Sequence, residues 1–433
     1  REVSKMNCNT QNAKIASITE KTLIVGIDVG SETHFARAFD WRNYEYTKKP
    51  LEFSNSEAGF LTFKAWVEDI AEKHGKTVVI PGMEPTGHYW FALGKFLQDD
   101  GMRPVHVNPH HVKKSKELDD NNPNKNDRKD PKTIAALVNE GRFSYPYMPT
   151  GTYAEIRSLS NLRFQTQEEL TRIKNRIARW FAIYFPEYKD VYRDVEAVSG
   201  RMALREAPLP GDICELGVEG VNQIWRKAKL RGVGMKRARS LVSAAEHSVG
   251  SKEAPEAARM ELRNLLDDMD AYTSRLEELL QKMEEKRKEI PYIDKLMGIK
   301  GLGLVTVGGF IAEVGDIGRF DNPKQLQKLA GYAIVANDSG KHNGESRISY
   351  RGRKRLRYVL YEAAISLIGK NEEFRSIHEY YQTRKENPLK KMQSVVAVAC
   401  KALRVFYVIL TKGVDYDAEK LMNDIRRPQA QAA

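Results

Sequence analysis

The sequence predicts an α/β domain followed by a mainly helical remainder, in a chain of 433 residues, room for roughly two to four domains. Three observations point there. Between about residue 21 and 145, short apolar runs alternate with segments of helical period. From there to about residue 290, two long stretches carry apolar residues three or four apart among many charges. Beyond them, glycines and cations punctuate helical pattern rather than strand pattern.

Leu23 to Asp28 reads as a strand, Thr33 to Asp40 as its hairpin partner and Tyr44 to Phe53 as a third strand. A helix fits Ser56 to Lys73, where Phe60, Phe63, Trp66, Val67 and Ile70 share a face. Strand Thr77 to Ile80, helix His88 to Leu97 and strand Pro104 to Val107 follow, and Thr133 to Val138 is a further ordered segment. Together these make a mixed sheet flanked by helices.

From Ala154 to Phe185 and from Glu256 to Ile290 the apolar stripe is that of long amphipathic helices, the second near-heptad and opened by Pro255. The stripes fit an intramolecular bundle or an intermolecular coiled coil equally, since a heptad stripe sets no partner by itself. Leu296 to Thr306 fits two helices joined by a Gly-x-Gly hairpin, in which Gly301 and Gly303 let backbone amides approach a phosphate. A weaker copy stands at Leu230 to Ala238, and such turns also serve tight packing alone.

Seventy Lys and Arg against 58 Asp and Glu give a formal charge of +12 and a pI near 9.3, which suits a polyanionic partner. Cys8, Cys214 and Cys400 are too few and too scattered for a disulfide framework or a zinc site, which points to a reducing, cytoplasmic setting. No signal-peptide pattern opens the chain. The stretch Val395 to Leu410 is interrupted by Lys401 and Arg404, so it reads as a core helix and no membrane is expected as a partner.

The acids carry the chemistry. Asp28 ends an apolar strand beside turn-permitting glycines, Glu84 follows the run Val78 to Ile80, and Asp127 and Asp130 stand three apart before Thr133. An unpaired carboxylate near a core is costly, whereas carboxylates converging from several strand ends bind hard divalent cations. Two such ions held about 3.5–4 Å apart cleave phosphodiesters. Asp127 and Asp130 also suit a helix N-terminus, with Pro131 at an early helical position. Further on, Ser339 precedes Gly340 and Lys341, then Arg347, then Arg351, Arg353, Lys354, Arg355 and Arg357. That density of cations has the composition of a phosphate clamp. The serine reads either as a turn residue or as a nucleophile.

The strings Val25 to Gly30, Met83 to Trp90 and Asn126 to Asp130, with Gly298 to Phe320, Leu329 to Tyr332, Ser339-Gly340 and Gly352 to Ala364, resemble the DEDD transposases of the IS110 family of insertion sequences. The resemblance runs in order from about 21 to 412. It implies an RNase H-like first domain similar to the junction resolvase RuvC over 21–150. A helical coiled-coil or linker region over 151–290 and a transposase domain with the Gly hairpin and serine loop over 291–412 would follow, with tails at 1–20 and 413–433. Asp28, Glu84, Asp127 and Asp130 would bind Mg²⁺, for which Mn²⁺ can substitute, and Ser339 would form a covalent phosphoserine with DNA. Donor and target DNA, a structured bridge RNA and a homo-oligomer, dimer or tetramer with a composite active site, are the implied partners, in a nucleoid-associated setting. Pro131 departs from the family's small residue there and biases Asp130 away from helical geometry.

Three rivals remain. A resolvase-like nuclease using metal-activated water needs only the four acids. A sugar-kinase or actin-like ATPase shares the Gly-Ile-Asp-Val-Gly-Ser opening but needs a second phosphate loop that the sequence lacks. A non-catalytic nucleic-acid binder gives no reason for acids at strand ends.

Overall fold

The computed structural model describes residues 11–85, 87–119, 130–335, 338–339, 342–343 and 347–430. The chain divides into two compact units, residues 1–148 and 149–433.

The first unit comprises α1 (Gln11–Ala16), β1 (Thr22–Val29), β2 (Thr33–Phe39), β3 (Leu51–Ser54), α2 (Glu57–Lys73), β4 (Val78–Met83), α3 (Trp90–Asp99), β5 (Val105–Val107), α4 (Pro109–Asp119), α5 (Asp130–Asn139) and β6 (Phe143–Ser144). Its strands form one sheet in the order β3-β2-β1-β4-β5-β6. β4 runs parallel to β1 and β5 parallel to β4, while β2, β3 and β6 are antiparallel to their neighbours.

Side chains alternate across the sheet, and this sorts the unit's two cores. Leu23, Val25, Ile27 and Met83 pack with Phe60, Phe63 and Val67 of α2 and Leu93 and Leu97 of α3. Ile24, Phe39 and Val105 meet Ile134, Ala135 and Val138 of α5 on the other face. Ser56 caps α2 by accepting a hydrogen bond from the Gly59 amide at 3.3 Å.

Three expectations change here. The third strand starts at Leu51 rather than Tyr44, because Arg42 and Tyr44 donate their amides to the Asp40 carboxylate and fold that segment into a turn. Residues 11–20 are no mere tail: Gln11 donates to the Glu140 carbonyl at 2.9 Å and Ile18 joins the α5 core. Finally, α5 starts on Asp130 despite Pro131, which costs little in a first helical turn, where amides have no intrahelical partner anyway.

The second unit opens with α6 (Gly151–Tyr184), α7 (Tyr188–Val191), α8 (Val198–Glu206), α9 (Pro210–Lys227), α10 (Met235–Glu246) and α11 (Pro255–Arg287). It continues with α12 (Ile293–Met297), α13 (Leu304–Val314), a 3₁₀ turn (Ile317–Arg319), α14 (Pro323–Leu329), β7 (Ile334–Val335), β8 (Asp338–Ser339), β9 (His342–Asn343) and β10 (Arg347–Ile348). The last helices are α15 (Lys354–Lys370), α16 (Glu372–Thr383), α17 (Lys391–Lys412) and α18 (Ala418–Ala430).

The two long helices, each about 50 Å at 1.5 Å per residue, pack against one another within the chain. Leu170, Ile173, Ile177 and Trp180 of α6 share a core with Leu262, Leu265, Leu266 and Met269 of α11, and α7 to α10 close it. The Trp180 indole donates to the Ala258 carbonyl at 3.0 Å, and Arg259 of α11 pairs with Asp212 of α9 at 2.6 Å. Of the two partners that the stripe left open, this part of it meets its own chain.

A second core joins Ile156 at the start of α6 to α12 through α17. α17 is long and apolar enough to cross a membrane by length and composition, but half of its apolar window is buried in this core, as expected of Val395 to Leu410. Residues 413–433, expected as a tail, supply α18, whose Leu421 is buried in the same core, and Tyr416, which stacks on Phe374.

Candidate active site

Gly26 and Gly82 face each other across the parallel pair β1 and β4. A Cβ on Gly26 would stand 1.8 Å from the Pro131 carbonyl oxygen, and one on Gly82 would stand 2.5 Å from Cγ2 of Val138. Two bare glycines side by side let α5 lie directly on the sheet. Gly26 reads in sequence as a turn-permitting residue, whereas its work is close approach.

One step further along each strand pair, Ile27 faces Met83, so Asp28 and Glu84 come next at the same level of neighbouring strands, whose spacing is about 4.8 Å. By the alternation that puts Gly26 and Gly82 under α5, Asp28 and Glu84 belong to that same face, at the carboxyl ends of the strands. Both are half-buried. Asp130 opens α5 itself, one residue before the carbonyl that rests on Gly26, and is 8% exposed. The fold thus sets Asp28 and Glu84 side by side at one end of the sheet, and Asp130 at the start of the helix that rests on Gly26. Asp127 lies outside the described residues. Among the described residues no three His, Cys, Asp or Glu side chains are gathered as ligands of a single ion.

The opposite face beneath this edge is apolar and holds two histidines. His34 is fully buried between Phe53 and Phe60, its Nδ1 accepting from the Gly30 amide at 3.3 Å, and burial lowers its pKa. His106, level with Met83, stands edge-on to Trp90 with a ring separation of 4.2 Å, and burial lowers it to about 4. Both are neutral imidazoles near neutral pH.

In the second unit, β7 pairs antiparallel with β10 and β8 with β9; these two short pairs are the ribbon strands, and Ser339 stands opposite His342. Lys341 lies outside the described residues. Sequence alone offers no base for Ser339, because the residue opposite it is set by strand register rather than by a familiar motif.

The cations expected as a phosphate clamp divide. Arg353 donates to the Glu313 carbonyl, and both Arg353 and Arg355 lie 3.9 Å from the largely buried Glu313 carboxylate. Arg355 also donates to the Ser160 carbonyl at 2.5 Å and covers the Phe164 ring. Arg357 donates to the carbonyls of Ala330 at 3.1 Å and Tyr350 at 3.3 Å. Arg353 and Arg355 thus brace the start of α15 to α13 and α6, and Arg357 ties it to the residues that flank the ribbon. Arg347, Arg351 and Lys354 remain exposed. The glycine hairpin divides too: Gly301, with φ of 103°, packs on α15, whose Ser366 hydroxyl donates to its carbonyl at 2.6 Å, while nothing lies near Gly303 at the start of α13.

Comparison with known proteins agrees with this layout. The family model of the DEDD transposase of IS110 matches residues 25–186, and the model described as transposase of the IS116/IS110/IS902 family matches residues 293–382. The chain is 24% identical over 388 residues to the insertion element IS116 uncharacterized 44.8 kDa protein of Streptomyces clavuligerus, covering 89% of this chain and 94% of that protein. It is 23% identical over 287 residues to the insertion element IS900 uncharacterized 42 kDa protein of Mycobacterium paratuberculosis, covering 65% of this chain and 71% of the other. With acids at the strand ends of the first matched segment and a serine ribbon within the second, the chain belongs to the IS110 family of transposases, enzymes that cut and rejoin DNA.

Proposed function

We propose that this transposase cuts DNA at the carboxylate edge of the first unit and joins it through Ser339, which forms a covalent phosphoserine intermediate. The observation that carries the reading is that Asp28 on β1 and Glu84, the residue just past β4, both follow the paired Ile27 and Met83, beside a helix that opens on Asp130 and rests on Gly26. The sheet order β3-β2-β1-β4-β5, antiparallel on one side of β1 and parallel on the other, supports an RNase H-like fold for this unit.

A divalent ion fits the donors. Carboxylate oxygens are hard ligands of the kind Mg²⁺ prefers, and the two-glycine bed brings a helix bearing a third acid to an edge that already holds two. Asp28, Glu84, Asp127 and Asp130 would hold it. When bound, the ion supplies Lewis-acid stabilisation of the charge that builds on phosphate oxygens. The protein's own parts do the rest. Arg351 and Lys354, exposed beside the ribbon's base, draw the phosphate backbone in. Arg353, Arg355 and Arg357 fix the segment that follows the ribbon, and the Ser339 hydroxyl oxygen attacks phosphorus. His342, opposite Ser339 in register, takes the hydroxyl proton as the P–O bond forms and the leaving 3′-oxygen departs.

The catalytic assembly is a homo-oligomer in which the serine ribbon of one subunit meets the acids of another, and a bridge RNA from the element selects donor and target. Support for both is the family likeness.

The test is a suicide DNA substrate, nicked so that cleavage traps the enzyme. Wild type is expected to give a protein–DNA adduct that Ser339→Ala lacks while still binding DNA. Recombination at the normal rate by Ser339→Ala would leave the serine a turn residue.

A further inference from the structure

The turn between α9 and α10 belongs to neither matched segment, since residues 187–292 lie between them. Between Glu219 and Glu246 the sequence has no Asp or Glu. Besides Arg226, which donates to the Val233 carbonyl within the turn, the same stretch exposes Lys227, Lys229, Arg231, Lys236, Arg237 and Arg239. α9 and α10 pack against each other, and a short connection joins the end of one to the start of the other, so the six cations gather at one end of the helical pair.

Among the described residues no ion pair explains that gathering. The ion pairs of this core run elsewhere, from Arg201 and Arg205 to Asp267 and Asp270 and from Arg259 to Asp212. None of the six takes part in an ion pair among the described residues. Arg237 alone has an evident structural contact, donating to the Val191 carbonyl at 2.6 Å over the Tyr192 ring.

The placement also runs against helix electrostatics. The start of α10 carries the positive end of the helix dipole, where acids are favoured and cations are disfavoured by roughly 0.3–1 kcal/mol each. Here the first turn has no acid, Gly234 provides no side-chain cap, and Lys236 and Arg237 occupy that turn. The turn itself is open: Gly232, at φ of 80°, has nothing near it. An arrangement that costs stability in the free protein and meets no internal anion is what an external polyanion would offset.

We infer that the α9–α10 turn is a second nucleic-acid site, which grips the phosphate backbone of duplex DNA without reading its bases. DNA is the partner because it is the substrate of the family's reaction. A backbone contact fits because cations predominate on this surface and, among the described residues 226–239, no exposed side-chain amide or aromatic ring stands among them to read base edges. The surface is independent of the acids and of Ser339, so it stands or falls separately from the proposed chemistry.

The test uses the full chain, without added metal, and a DNA duplex of unrelated sequence titrated across a range of salt. The variant combines Lys227→Gln, Lys229→Asn and Lys236→Gln. Asn suits the left-handed backbone of residue 229, at φ of 54°. The log–log salt slope should become shallower by about 2–3, at about 0.9 for each phosphate no longer neutralised, while the melting temperature holds or rises. Lys236→Glu alone, an acid where the dipole favours one, is expected to raise the melting temperature and weaken DNA binding together, a pairing that a structural role would not produce. An unchanged slope in both variants would overturn the inference. A duplex RNA of the same sequence, bound more tightly than the DNA and weakened more by the substitutions, would overturn the choice of DNA.

Discussion

The Pro131 carbonyl rests against Gly26, at a place where any side chain would collide with it. That contact ties the position of Asp130 to the strand that carries Asp28, so the geometry of the acid edge depends on a hydrogen atom in place of a methyl group. Gly26→Ala should therefore shift α5, cost about 1–3 kcal/mol by overpacking and lower DNA cleavage. Gly82→Ala collides with the Val138 side chain at 2.5 Å, while the next atoms, on Ile134 and Val105, stand at 3.4 and 3.7 Å. Adding Val138→Ala should recover most of the stability that Gly82→Ala removes, and none of what Gly26→Ala removes. Chemical denaturation of the four variants checks this, and equal rescue of both would refute it.

Two kinds of cation follow the serine, and they should separate experimentally. Arg351→Ala with Lys354→Ala is expected to flatten the salt dependence of DNA binding by about one log unit per neutralised phosphate, with little change in stability. Arg355→Ala removes contacts to Ser160, Glu313 and Phe164 and should cost about 1–3 kcal/mol. Measuring both quantities on both variants decides whether bracing and binding are divided as described.

Acid should weaken the first unit through its buried histidines. The folded pKa of His106 is lowered to about 4 by burial from an ordinary 6.5, and that of His34 is lowered too. An unfolded chain then binds more protons between those values, so the stabilisation is complete above pH 6.5 and is lost as pH falls toward 4. At about 1.4 kcal/mol per pH unit, His106 alone accounts for up to about 3.5 kcal/mol. Denaturation midpoints measured across that window should fall in the wild type and fall less in His106→Gln. A parallel fall in both would place the acid sensitivity elsewhere.

The strands at Leu23 and Val78 and the acids that follow them are legible in the sequence because short continuous apolar runs and charge at their ends are local signals. The long helices are legible for the same reason. What covers a stripe is not local: the partner of Leu262 and Leu266 is α6, fixed only by the folded chain. Register is likewise invisible until strands pair, which is why His342 escapes a reading of the sequence. Arg353, Arg355 and Arg357 look like a clamp because composition counts charges without showing which carbonyls they meet. Gly26 draws notice for the wrong physical reason, since a glycine needed for close approach and one needed for a turn look the same in sequence.

Cleavage by Asp28→Asn and Glu84→Gln, measured beside DNA binding and melting temperature, tests the acid edge most directly. Both substitutions keep the shape of the side chain and remove its charge. The expected result is loss of DNA cutting by several orders of magnitude, with DNA binding retained and the melting temperature unchanged or raised as like charges are removed. Wild-type cutting in either variant, with Mg²⁺ supplied, would contradict the assignment of the site.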